Sequence, residues 1–81
     1  MTNDSIREDR ILDVSGLNCP LPVLKSKAML ATMASEEILK VIATHPDSVK
    51  EFASLCRSPQ FDLLDSVQED ERFVYWVRKV A

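Results

Sequence analysis

Four consecutive residues, Cys19-Pro20-Leu21-Pro22, hold the best candidate chemistry in the chain. A thiol becomes a nucleophile, or an acceptor of sulfur, when it ionises. A helix with Pro20 at its first position puts Cys19 at the N-cap, where the partial positive charge of a helix gathers and a thiolate is favoured over a thiol. Such a setting lowers a cysteine pKa from about 8.5 to about 7.5 or below. Pro20 and Pro22 have no N–H, so Leu21 and Val23 are the first-turn amides left to support the anion. The prolines also fix φ and stiffen the turn, which holds the sulfur at the tip of a rigid element. Thiol–persulfide exchange needs that access as well as nucleophilicity. The alternative is a small buried residue closing a loop, a common station for free cysteine. Placement beside two prolines at a helix start favours the reactive reading.

The other candidates are weaker. Cys56 shares an i, i+3, i+4, i+7 stripe with Val49, Phe52 and Ala53, which reads as core packing. Pairing it with Cys19 as a redox switch needs Cα atoms within about 7 Å, and a stripe facing the sheet disfavours that. Lys27 follows Cys19 by about two helical turns, although its wheel position falls inside the apolar arc. Its ammonium either leans back toward the cysteine end or an acidic partner, or it snorkels past the helix edge. His45, the single histidine, precedes Pro46; it reads as a cap or surface residue before a Cys–His pair. Arg78 and Lys79 close the chain's last apolar stretch, as ordinary edge charge or as a small basic patch that contacts a partner or an anion. The acidic run from Asp62 to Glu71 reads as a solvated hairpin, with a docking surface as its alternative. Two isolated cysteines and one histidine lack metal-ligand spacing.

These residues must be positioned by a small framework. The 81 residues allow one modest domain, here 10–81, preceded by a polar leader over 1–9. The balance of 46% hydrophobic and 28% charged residues is that of a globular chain. One glycine, Gly16, excludes glycine-rich phosphate loops. A net charge of −3 argues against a direct nucleic-acid surface. The longest apolar run, Phe73 to Val77, is far too short to span a membrane, and no secretory signal fits the first ten residues. The composition reads as soluble and cytoplasmic.

Ile11–Val14 predicts a strand with Leu12 and Val14 on one face. A loop over 15–18 follows, then a proline-first helix to about Met33. The helix stripe is Leu24, Ala28 and Ala31, widened by Val23, Leu30 and Ala34. Ile38–Thr44 predicts a second strand and Pro46 opens a second helix. Phe61–Val67 and Arg72–Val80 predict two strands joined by a link of about four residues, 68–71, since no Asn-Gly type turn is present. Two helices cannot cover both faces of four strands in so short a chain. The fold class is therefore α/β, a two-layer βαβαββ sandwich with a four-stranded mixed sheet and both helices on one face. Part of the other face is left to water or a partner.

Leu12-Asp13, Gly16-Leu17, Cys19-Pro20-Leu21-Pro22 and Lys27 together resemble the signature of the TusA/SirA-like sulfur carrier family. The resemblance continues through Thr44, Pro46, Leu55-Cys56 and Arg78-Lys79. It departs at His45, at Ser35-Glu36-Glu37 where a glycine-containing link is usual, and at Ser58-Pro59-Gln60. The resemblance implies the βαβαββ fold and sulfane sulfur carried as a persulfide on Cys19. It also implies a cysteine desulfurase or rhodanese-like donor and a sulfur-acceptor protein serving tRNA thiolation, molybdenum cofactor assembly or sulfur metabolism. The pyridoxal phosphate belongs to the desulfurase, so the chain itself needs no cofactor. The rival is a non-catalytic regulatory module in which the CPxP turn is only structural.

Overall fold

The computed structural model describes residues 7–18 and 20–80. In chain order its elements are β1 (Arg10–Asp13), α1 (Leu21–Ala31), β2 (Ile38–Ala43), α2 (Ser48–Leu55), β3 (Phe61–Glu69) and β4 (Arg72–Lys79). The sheet order is β1-β2-β4-β3. β1 and β2 run parallel, which requires a crossover, and the chain between them contains α1. β4 pairs antiparallel with both β2 and β3. The fold is thus the α/β two-layer arrangement with a mixed four-stranded sheet.

Period-two alternation sorts the sheet into faces. Leu39, Val41 and Ala43 of β2 are fully buried, and their cross-strand partners are Val77, Tyr75 and Phe73 of β4. The same core cluster takes Leu30 from α1, Met33 from just beyond it, and Phe52 and Leu55 from α2, so both helices lie on this face. The Phe52 and Tyr75 rings stack with centroids 4.4 Å apart.

The opposite face is partly closed by its own side chains. Trp76 is only 6% exposed there. Lys40 places its ammonium 5.6 Å from the centre of the Trp76 ring, and the indole N–H donates to Glu8 at 3.4 Å. Ile11, toward the β1 edge, remains exposed. Of the expected leader over 1–9, Asp9 is already fastened to the sheet. Its N–H donates to Ile38 O at 2.8 Å, and its carboxylate accepts from Ile38 N–H at 2.8 Å.

Both helices are rotated from the expected phase. On α1 the buried line is Pro22, Ser26 and Leu30, whereas Leu24 is 52% exposed and Ala28, Ala31 and Ala34 face outward. Val23 is half-buried, and Lys27 is exposed instead of inside the apolar arc. Apolar residues occur nearly all round this helix, so their spacing sets no strong phase, and the fully buried Ser26 lies on its inward line. On α2 the buried line is Ser48, Phe52 and Leu55, while Val49 is 50% exposed and Ala53 also faces outward. Both buried serines have satisfied hydroxyls. Ser26 Oγ donates to Pro22 O at 2.7 Å, and Ser48 Oγ lies 2.7 Å from the Tyr75 hydroxyl. Such pairing removes the cost that makes buried polar groups rare.

Boundaries moved as well. α1 ends at Ala31, before Met33, and α2 starts at Ser48, two residues beyond Pro46. The β3–β4 link is two residues, not four: Glu69 pairs with Arg72, and Asp70 takes φ 55°. Aspartate tolerates this left-handed region better than most residues, which permits the tight turn without glycine. An irregularity between Leu63 and Asp65 shifts the β3 register, so Leu63 pairs with Val77 on the helix face and Val67 with Val74 on the other.

Candidate functional site

The CPxP segment joins the end of β1 to the start of α1. Its incoming side is tightly bonded. Val14 is 1% exposed and its N–H donates to Ile42 O at 2.8 Å, extending the β1–β2 ladder by one step. Ser15 N–H donates to the Asp13 carboxylate at 2.9 Å, and Leu17 N–H donates to Val14 O at 3.1 Å. The Ser15 side chain and amide together hold the Asp13 carboxyl below the usual carboxylate range. Gly16 makes the turn with φ 83° and donates its N–H to Thr44 Oγ1 at 2.8 Å. Glycine is needed here for its backbone conformation, because a Cβ at this position meets nothing within 4 Å.

The outgoing side is bonded into the helix. Leu21 N–H donates to Asn18 O at 2.9 Å and Leu24 N–H to Pro20 O at 3.1 Å. Pro22 is buried, and its carbonyl takes the Ser26 hydroxyl. Two expectations change as a result. Pro20 is the capping residue and Pro22 is the second helical residue, so the helix begins one position later than the proline-first reading placed it. The Leu21 amide, expected to support an anion, is spent on Asn18. Cys19 itself lies outside the described residues.

The remaining candidates separate clearly. Lys27 is exposed and, among the described residues, has no ion pair. It lines a cavity of about 760 Å³ between α1 and α2, together with Pro20, Val23, Leu55, Phe61 and Lys79. This groove reaches Pro20, the residue after Cys19 in the chain. Arg78 and Lys79 do not form the free basic patch considered from sequence. The Arg78 guanidinium lies 2.7 Å from Asp62 and 3.8 Å from Glu36, and Lys79 Nζ donates to Met33 O at 2.8 Å. Arg78 thus pairs mainly across the β3–β4 ladder, and Lys79 ties β4 to the segment after α1.

His45 accepts the Asp47 N–H on Nδ1 at 3.1 Å, so it closes the turn before α2. Cys56 sits at the C-terminal cap of α2, half-buried against the core. Burial, and then the Asp62 carboxylate, push its thiol up to about 11, which keeps it protonated at neutral pH. Among the described residues no cluster of three or more His, Cys, Asp or Glu is placed to hold a metal, and no helix is long and apolar enough to cross a membrane.

Sequence reasoning did not assign Thr44 or Ser26 to the site. A contact between residues 28 positions apart, like that of Gly16 and Thr44, leaves no local pattern. Ser26 does leave a faint one: a hydroxyl four residues after a helix-opening proline can bond back to that proline's carbonyl.

Comparison with known proteins matches residues 10–79 to the family model described as Sulfurtransferase TusA. A sulfur carrier protein TusA from Allochromatium vinosum is 44% identical over 71 residues, covering 88% of this chain and 93% of the relative. A sulfur carrier protein TusA from Pseudomonas putida is 38% identical over 73 residues, covering 90% of this chain and 91% of the relative. Among solved structures, a SirA-like protein from Desulfitobacterium hafniense superposes with a TM-score of 0.75 at 16% identity, covering 89% of this chain and 99% of that one. At that identity the superposition speaks for the shared fold.

Proposed function

This chain belongs to the TusA family of sulfur carriers, and from that premise we propose that Cys19 accepts sulfane sulfur as a persulfide and relays it to an acceptor protein. The Cys19 thiolate attacks the outer sulfur of a donor persulfide. A new S–S bond forms at Cys19 as the donor's S–S bond breaks. The donor leaves as a thiolate, and the proton stays on the transferred sulfur. An acceptor thiolate then attacks that outer sulfur and releases Cys19 as its thiolate, so the relay involves no net oxidation. The donor is a cysteine desulfurase or a rhodanese-like protein, and the acceptor is another sulfur-handling protein. Lys27, at the groove that reaches Pro20, meets acidic side chains of these partners.

The observation that supports this reading is the bonding on either side of position 19. Gly16 is tied to Thr44 before it, and Pro22 to Ser26 after it. A protein-to-protein S–S exchange needs its nucleophile presented from a segment that does not wander. The test loads the protein with a cysteine desulfurase and cysteine, then measures intact mass and maps the added sulfur. One extra sulfur on Cys19, lost in Cys19→Ser and kept in Cys56→Ser, is the expected result. Sulfur on Cys56, or on neither cysteine, refutes the proposal. A Cys19→Ser protein that keeps its partner binding and cellular role would instead mark a non-catalytic interaction module.

A further inference from the structure

We infer that Thr44 is a positioning residue for the sulfur-bearing loop, acting through its hydrogen bond to Gly16; the inference rests on the carrier reading of Cys19. Thr44 directly follows β2, which is paired on both sides, with β1 and with β4. Its side chain therefore projects from the end of a strand held on both flanks. The preceding residues already hold one end of that loop, because Ile42 O accepts the Val14 N–H. Thr44 Oγ1 then takes the Gly16 N–H at 2.8 Å, two residues further along.

The nature of this contact points to positioning and away from packing. Gly16 has no side chain, and the space around its missing Cβ is empty for 4 Å. Gly16 also sits at φ 83°, a region that glycine enters and leaves freely, so its own backbone preference does not hold it there. Local bonds hold the neighbours to one another: Ser15 to Asp13, Leu17 to Val14, Leu21 to Asn18. Those bonds shape the loop. The Thr44 hydroxyl attaches the shaped loop to the sheet at a distant point, three residues before Cys19. In-line sulfur transfer between two proteins is sensitive to such orientation, whereas alkylation of a thiol by a small reagent is not.

The experiment compares wild type with Thr44→Val, which keeps the side chain's shape and removes the hydroxyl, and Thr44→Ser, which retains the hydroxyl. Amide hydrogen exchange at Gly16 reads the clamp directly. In Thr44→Val we expect exchange about fivefold faster, the scale of one lost hydrogen bond, and near wild-type exchange in Thr44→Ser. Desulfurase-dependent sulfur loading of Cys19 falls by about the same factor in Thr44→Val and recovers in Thr44→Ser. Alkylation of Cys19 by iodoacetamide in the Cys56→Ser background stays within about twofold throughout, since no protein partner has to be aligned. Unchanged Gly16 exchange in Thr44→Val overturns the clamp. Faster exchange with undiminished loading, or failure of Thr44→Ser to restore loading, overturns the positioning role. A wild-type protein that takes no sulfur on Cys19 overturns the carrier reading and the positional role with it, and Gly16 exchange then decides the clamp by itself.

Discussion

The hydroxyls of Ser48 and Tyr75 meet at 2.7 Å in the core, and that contact sets which side of α2 faces the sheet. Ser48 is completely buried and Tyr75 nearly so. With Phe52 stacked on the same tyrosine ring, two successive turns of α2 are anchored to one residue of β4. The helix turns Ser48 inward and leaves Val49 half exposed, the reverse of what polarity alone favours.

The pair should therefore behave as a unit. Tyr75→Phe and Ser48→Ala each strand one buried hydroxyl and should each cost about 1–2 kcal/mol of unfolding free energy. The double variant, with neither hydroxyl left, should cost less than the sum, with a coupling of about 1 kcal/mol. Urea unfolding of the four proteins measures it, and strict additivity would remove the pair from the account of the helix phase.

Cys56 should be a poor nucleophile. With its thiol pushed up to about 11, its reaction with iodoacetamide near neutral pH in a Cys19→Ser background should be about a hundredfold slower than that of a free cysteine. The same shift makes stability depend on pH. The folded value lies above the unfolded one, so the stability linked to the protonated thiol is fully present below about 9 and is lost as pH rises toward about 11. Burial pushes the Tyr75 phenol up as well, giving a loss of the same sign. The difference between wild type and Cys56→Ala isolates the thiol: urea midpoints of wild type should fall more steeply over that window than those of Cys56→Ala. Parallel curves would contradict the assignment.

Glu36 occupies the left-handed region at φ 74°, in the link between α1 and β2. The Glu36 N–H donates to Lys79 O and the Lys79 N–H to Glu37 O, so the strained conformation is locked against β4. Glu36→Gly relieves a backbone cost of about 1–2 kcal/mol and restores about 0.5–1 kcal/mol of unfolded-chain freedom. The exposed Arg78 contact at 3.8 Å adds little against this. A net gain of about 0.5 kcal/mol is expected, read as a raised thermal midpoint, with Glu36→Val lowering it. A lowered midpoint in Glu36→Gly would show that the regained chain freedom and the lost ion pair together outweigh the strain.

The chain's local chemistry was legible without coordinates. The succession of elements followed from where β-branched runs stop and prolines begin, and two helices for four strands required a one-sided sandwich. CPxP, Gly16-Leu17 and Lys27 marked the family because motif residues lie within two or three turns of each other. Helix phase was not legible. Apolar residues surround α1, and in both helices a serine faces inward with its hydroxyl satisfied, Ser26 by Pro22 O of its own helix and Ser48 by the Tyr75 hydroxyl of β4. Nor could the linear order show that Arg78 pairs with Asp62 and Glu36, that Lys79 Nζ donates to Met33 O, or that Thr44 reaches Gly16. Periodicity records what each residue prefers on average. Which polar groups find partners depends on strand register and crossover, and those exist only once the sheet has closed.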